Sequence, residues 1–261
     1  MVAERGCGIA LLAGLLFVHP AMAEGTFRVG LGAQYTSGEY GGDEDIDQLY
    51  IPLLLGYDTQ RLGVRLTIPY LRVGAPAQAS VISRDGSRIV VEPGAGARDT
   101  DSGLGDVGAS LTLYDVYAAP TRGLFVDLTG RVKLGTADEA KGLGTGETDY
   151  ALEFSAYKRL GRALGVATLG YELNGDPPGL DLQDVWYGSL GGSVPWTERT
   201  RAGVFLDFSQ SLLPGRDEPL ELSFHLRREL DSKRRLSAFI LTGLSDSSPD
   251  WGTGLAFISR F

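Results

Sequence analysis

A hydrophobic period of two, sustained over long segments, limits what this chain can fold into. Between Leu220 and Leu226, the residues Leu220, Leu222, Phe224 and Leu226 alternate with Glu221, Ser223 and His225. Successive side chains on a strand point to opposite faces, so this segment has one apolar and one polar face. A helix would scatter the same leucines around its circumference. The pattern returns in three further places. Ala202, Val204, Leu206 and Phe208 oppose Arg201, Asp207 and Ser209; Val126, Leu128 and Val132 oppose Asp127, Thr129, Arg131 and Lys133; Leu152 and Phe154 oppose Glu153 and Ser155.

Extended along the chain, this reading predicts about twelve strands of roughly 10 to 14 residues, near the span of a tilted transmembrane strand, with ten or fourteen as the alternative counts. They are expected near 26–37, 47–58, 61–74, 104–117, 122–134, 147–159, 162–173, 182–194, 199–211, 219–229, 234–245 and 250–261. The seventh and eighth alternate poorly. Connections after even-numbered strands are short (58–60, 118–121, 160–161, 195–198, 230–233). Those after odd-numbered strands tend to be longer and richer in glycine and acid (37–45, 75–103, 135–146, 174–180). Short turns at one end and longer loops at the other are the asymmetry of an outer-membrane barrel. Aromatics near segment ends, Tyr57 and Trp196 by short turns and Tyr70, Tyr150 and Trp251 by long loops, suit interfacial girdles. Phe261 ends an apolar face with Leu255 and Phe257, and is read as an assembly signal. A soluble β-sandwich or secreted barrel also alternates, with its apolar faces meeting inside, so period alone leaves both open.

The N-terminus resembles an export signal. Arg5 precedes an apolar run from Ile9 to Val18, and Ala21-Met22-Ala23 forms a small-x-small cleavage pattern before Glu24. The expected organisation is therefore a signal peptide at 1–23 and one all-β domain, a closed antiparallel transmembrane barrel, at 24–261. Cys7 is the single cysteine and lies in the signal, which excludes disulfides and thiolate metal sites in the mature chain. These features place the protein in a Gram-negative type outer membrane. Its expected partners are outer-membrane lipids and lipopolysaccharide, the barrel-assembly machinery and a small-molecule solute.

A net charge of -9 argues against nucleic acid as a partner. No cofactor is expected: Gly103-x-Gly105-x-x-Gly108 matches a dinucleotide fingerprint formally, but Ala109, Leu111 and Leu113 then alternate as a strand where that motif needs a helix. The acidic tract at 43–47 lacks the spacing of an EF-hand loop and reads as a solvated loop. The polar faces should line the lumen, since ions in lipid cost several kcal/mol near the midplane, of order ~2–4. The lumenal set is Arg65, Asp106, Asp127, Arg131, Lys133, Glu153, Arg201, Asp207, Glu221, His225 and Arg227. These mixed charges either brace a nearly filled lumen or line a selective pore. His225 is the one histidine after the signal. Together with Ser223 and Asn174 it raises the alternative of a lipid hydrolase, although no GxSxG elbow occurs. A structural or adhesive barrel is the third class.

Several stretches resemble a known family. Leu55 to Val73 (LGYDTQRLGVRLTIPYLRV) is similar to the second hairpin of the outer-membrane family named for the MetA pathway of phenol degradation. So are Gly103-Leu104-Gly105-Asp106-Val107, Lys133-Leu134-Gly135 and Lys141-Gly142-Leu143-Gly144-Thr145-Gly146, the last followed by Thr148-Asp149-Tyr150. The resemblance spans roughly 46 to 261. It departs at Gly135-Thr136-Ala137-Asp138, where the family shows Pro-Thr-Gly-Asp, and in the long 75–103 connection, which could gate or plug the mouth. It implies a transport-type barrel passing small hydrophobic or aromatic molecules, without naming the solute.

Overall fold

A computed structural model of the chain describes residues 25–76, 80–84, 88–92, 98–177 and 179–261. The expected signal peptide at 1–23, and parts of the 75–103 connection, lie outside the described residues.

The strands run in order β1 (Thr26–Gly38), β2 (Ile46–Asp58), β3 (Leu62–Pro76), β4 (Ser80–Arg84), β5 (Arg88–Glu92), β6 (Arg98–Leu104), β7 (Val107–Ala119), β8 (Leu124–Leu134), β9 (Asp149–Leu160), β10 (Ala163–Leu173), β11 (Val185–Pro195), β12 (Thr200–Ser209), β13 (Leu220–Glu229), β14 (Arg234–Gly243) and β15 (Trp251–Arg260). Antiparallel ladders link neighbours from β7 to β15; β1 pairs with both β2 and β15, and β2 with β3, so the sheet closes on itself. β6 and β7 lie end to end along β3, pairing Pro76↔Arg98 to Tyr70↔Leu104 and Thr67↔Gly108 to Leu62↔Leu113. The wall is thus a closed antiparallel barrel of 12 strands, with β4–β5 as a separate hairpin.

The faces sort as alternation requires. Phe27, Leu190, Ile240 and Leu255 are about 60% exposed on the exterior, whereas Ser223 and Glu221 are almost wholly buried within. Fully burying such an apolar side chain stabilises by about 1.5–3 kcal/mol relative to leaving it in water. An exterior of this kind therefore calls for an apolar medium. Buried apolar residues form two clusters of four to seven members among the described residues, neither of them a central core. That distribution is the inverse of a soluble barrel. Trp196 near the short turns and Tyr70, Tyr150 and Trp251 near the long loops stay exposed, as girdle residues would.

The short turns close through local bonds. Thr59 N–H donates to Leu62 O at 2.8 Å, Trp196 N–H to Thr200 O at 2.8 Å, and Leu230 N–H to Arg234 O at 2.9 Å. The Asp231 carboxylate accepts the N–H groups of Lys233 and Arg234 at 2.8 Å each, which holds it below the usual carboxylate range.

Three details depart from the simple alternation. β7 bulges between Leu113 and Tyr117, where Asp115 takes φ 53° and its N–H is caught by Asp127 Oδ1 at 2.9 Å. β6, expected as loop, has no apolar face to signal it because backbone pairing to β3 alone sets its register. β10 and β11 alternate poorly because glycines replace inward side chains: the Tyr187 ring lies over Gly170 and the Phe205 ring over Gly191.

Candidate functional site in the barrel lumen

The lumen divides into two chemically distinct halves. One cavity of about 540 Å³ lies against β2, β3 and β7–β10, and Arg65, Asp106, Asp127, Arg131, Lys133 and Glu153 all line it. Arg131 forms an ion pair with Glu153, and its guanidinium sits 5.6 Å from the Tyr187 ring centre. Glu153 also accepts from the Tyr187 hydroxyl at 3.2 Å and from Ser155 Oγ at 3.2 Å. Arg65 has no ion-pair partner among the described residues; it lines this cavity and a smaller one of about 180 Å³ below it. The two share Ser110, Thr112 and Tyr114 as wall. At the short-turn end Arg28 pairs with Asp58 at 2.7 Å, and Asp58 also accepts from the Tyr114 hydroxyl.

Lys133 is 7% exposed and sits between two carboxylates. A buried ion is tolerated only when its charge and all its donors are met. Its Nζ lies 2.6 Å from Asp149 Oδ2 and 3.3 Å from Asp106 Oδ2, and donates to Thr145 Oγ1 at 2.9 Å. Asp106 Oδ1 accepts the N–H groups of Thr136 and Ala137 at 3.0 Å each, and Asp149 Oδ1 accepts the Gly175 N–H at 3.0 Å. The cluster fastens two connections to the rim.

The other half, a cavity of about 420 Å³ against β1 and β11–β14, contains Asp207, Glu221 and His225. Here Phe205, His225 and Phe239 on successive strands form a ladder of rings. Phe205 meets His225 edge-on at 5.3 Å, and His225 stacks on Phe239 at 5.5 Å. Ser223 Oγ is 2.9 Å from His225 Nε2 and donates to Asp207 Oδ2 at 3.3 Å. In a hydrolytic triad the acid orients the histidine; here the carboxylate holds the serine. Asn174 lies at the mouth, bonded to Gln183 O and Asp184, and does not join the pair. Arg201 donates to Ser193 O at 3.0 Å, and Arg227 pairs with Glu229, which Arg235 shares at 2.7 Å. These last groups are partly exposed and stabilise little.

The mouth on the long-loop side is narrowed by side chains. Tyr40, Ile46, Tyr50, Leu71, Val73 and Leu143 pack on one side; Leu182, Val185, Leu212 and Leu213 pack on the other. Burial pushes the Tyr40 phenol well above its ordinary pKa. Gly103 and Gly105 of the fingerprint-like run leave room for the Leu143 and Leu71 side chains, which a Cβ would meet at 2.9 and 2.6 Å.

The architecture is shared with solved membrane barrels. An outer-membrane channel from Pseudomonas putida F1 superposes with a TM-score of 0.69 at 15% identity, covering 94% of this chain and 100% of the other. The NanC porin gives 0.55 at 7% identity over 88% and 98%, and the KdgM porin 0.53 at 5% over 90% and 99%. This is a fold that outer-membrane channels also adopt. At these identities the likeness is one of fold alone. No protein-family model and no curated protein sequence matches the chain.

Nine of the eleven residues expected at the lumen line these cavities, six the larger one and three the other half; Arg201 and Arg227 line none of the three. Phe205 and Phe239 were missed, although Phe205 shares the parity of Arg201 and Asp207 and Phe239 stands opposite His225. Their apolar character disguised them. Arg28, Asp58 and Tyr114 were also missed; Arg28, flanked by outward Phe27 and Val29, carried the available signal.

Proposed function

We propose that the chain is an outer-membrane channel that passes small molecules by diffusion. On this reading it is exported by its N-terminal signal and inserted by the barrel-assembly machinery, with Phe261 on the lipid face as the recognised end. The observation that carries the reading is the closed wall itself: apolar outside, lined by ions, hydroxyls and rings inside, and enclosing cavities of about 540, 420 and 180 Å³. A purely bracing interior would fill that space with side chains.

The solutes fit a class with a planar ring. The Phe205–His225–Phe239 ladder offers faces and edges at the spacing aromatic groups prefer. This agrees with the resemblance of residues 46–261 to the family named for phenol degradation. The cations and carboxylates of the larger cavity, Arg65 foremost, would bias which charged solutes pass. The similar structures are channels and porins, which supports the channel reading.

The test is planar-bilayer recording of the refolded chain, with liposome swelling to rank solutes. Discrete conductance steps, and faster swelling with ring-bearing solutes than with aliphatic ones of equal size, are expected. Electrical silence with unswollen liposomes overturns the channel. Lipid cleavage lost in His225→Ala would instead establish the hydrolase.

A further inference from the structure

The larger cavity is capped at its long-loop end. Tyr50, Asp106, Lys133 and Asp149 belong both to its wall and to the structures that cap it. The connection 135–148 between β8 and β9 turns inward here and places Leu143, 1% exposed, in the apolar cluster with Leu71 and Val73. We propose that this connection is the channel's gate, with Leu143 as its plug and Lys133 as its latch. The inference rests on the channel reading and adds the means by which the mouth opens.

Three observations support a movable closure over a fixed wall. First, the connection is held at defined points. Thr136 and Ala137 hang from Asp106, and Thr145 receives a hydrogen bond from Lys133. Between these points Leu143 is the one side chain among the described residues that enters the apolar cluster deeply. Gly142 and Gly146, at φ 63° and 72°, shape the intervening turn. Secondly, a polar side chain lies buried beside the residues of this cluster. Gln48 projects from β2 between Ile46 and Tyr50, is 1% exposed, and its Nε2 has no hydrogen-bond partner among the described residues. A buried donor without an acceptor disfavours the state that buries it. Thirdly, the latch is unbalanced: one buried ammonium faces two buried carboxylates, Asp106 and Asp149. Burial of Leu143 and the ion pairs favour closure; the orphaned amide and the excess negative charge oppose it. Opposing contributions of this kind are what a gate with two positions requires.

The perturbations have opposite signs, which makes the proposal sharp. In bilayer recordings of the refolded full chain, Leu143→Ser should raise the open fraction about tenfold by weakening the plug. Gln48→Leu should lower it by about the same factor, because the orphaned donor disappears. The pair Gly103→Cys/Leu143→Cys, introduced where a Cβ at 103 would lie 2.9 Å from the Leu143 side chain, should lock the mouth. Current should then fall on oxidation and return with reductant. Heat-modifiable migration on gels reports that each variant is folded, and the disulfide pair serves if a single substitution fails to fold. Currents equal in wild type and both single variants, or unaffected by oxidation of the pair, overturn the gate while leaving the channel standing. No current from any form, oxidised or reduced, overturns the channel and the gate together.

Discussion

Placing a charge on the outer face of β13 should damage the barrel far more than placing it on the inner face at the same depth. Phe224 is the fifth residue of a ten-residue strand, 47% exposed, and lies between Val204 and Ile240 on the neighbouring strands. An arginine at the middle of a lipid-facing wall costs about 2–4 kcal/mol. At 1.36 kcal/mol per decade, Phe224→Arg should lower the folding constant about 30- to 900-fold. Gln34→Arg is the control. Gln34 stands four residues from the long-loop end of β1, as Phe224 does in β13, but faces the cavity that contains Asp207 and Glu221. Its expected cost is within about 1 kcal/mol, that of an exchanged hydrogen bond. Urea unfolding from phosphatidylcholine vesicles, followed by tryptophan fluorescence, gives both values. The reasoning fails if Phe224→Arg is as stable as wild type, or if Gln34→Arg loses as much.

Further outcomes follow from the lumen and the mouth. Arg65→Ala removes a lumenal cation that has no carboxylate partner among the described residues, so the reversal potential in a salt gradient should shift toward cation preference; an unchanged potential excludes Arg65 from selectivity. Replacing Phe205 and Phe239 by Ala should weaken block of the current by ring-bearing solutes about 2- to 12-fold, the factor for one aromatic pair, and leave aliphatic solutes unaffected. The raised pKa of Tyr40 means that its contribution to stability is full below about pH 10 and is lost as pH rises beyond it, because the unfolded phenol ionises first. Urea midpoints should therefore fall more steeply above pH 10 in wild type than in Tyr40→Phe, and parallel curves would contradict the burial of that hydroxyl.

Most of the wall was legible because lipid and lumen impose a strict period of two. Leu220 to Leu226 reads as a strand for the same reason that it is one. Where that constraint lapses, so does the signal. β6, with Asp99-Thr100-Asp101-Ser102, extends the sheet by backbone bonds to β3 that no side-chain pattern announces. The nine cavity-lining residues were legible for a related reason, since charge on one face of an apolar strand is expected to point inward. Their partners were not: Lys133 meets Asp106 and Asp149 through folding that brings together positions far apart in sequence. The ring ladder stayed hidden because Phe205 and Phe239 are apolar residues on a polar face, identifiable only by parity. The two-part lumen likewise depends on which rings lie flat over glycines, as Phe205 does over Gly191.

Nitroxide labels placed singly at 220 to 229 along β13 test the orientation on which all of this depends. Collision with oxygen, which concentrates in acyl chains, should peak at positions 220, 222, 224 and 226, and collision with a water-soluble nickel chelate at 221, 223 and 225. The reverse pattern, with nickel reaching the leucines and oxygen the charged positions, would contradict a barrel that turns its apolar face to the membrane.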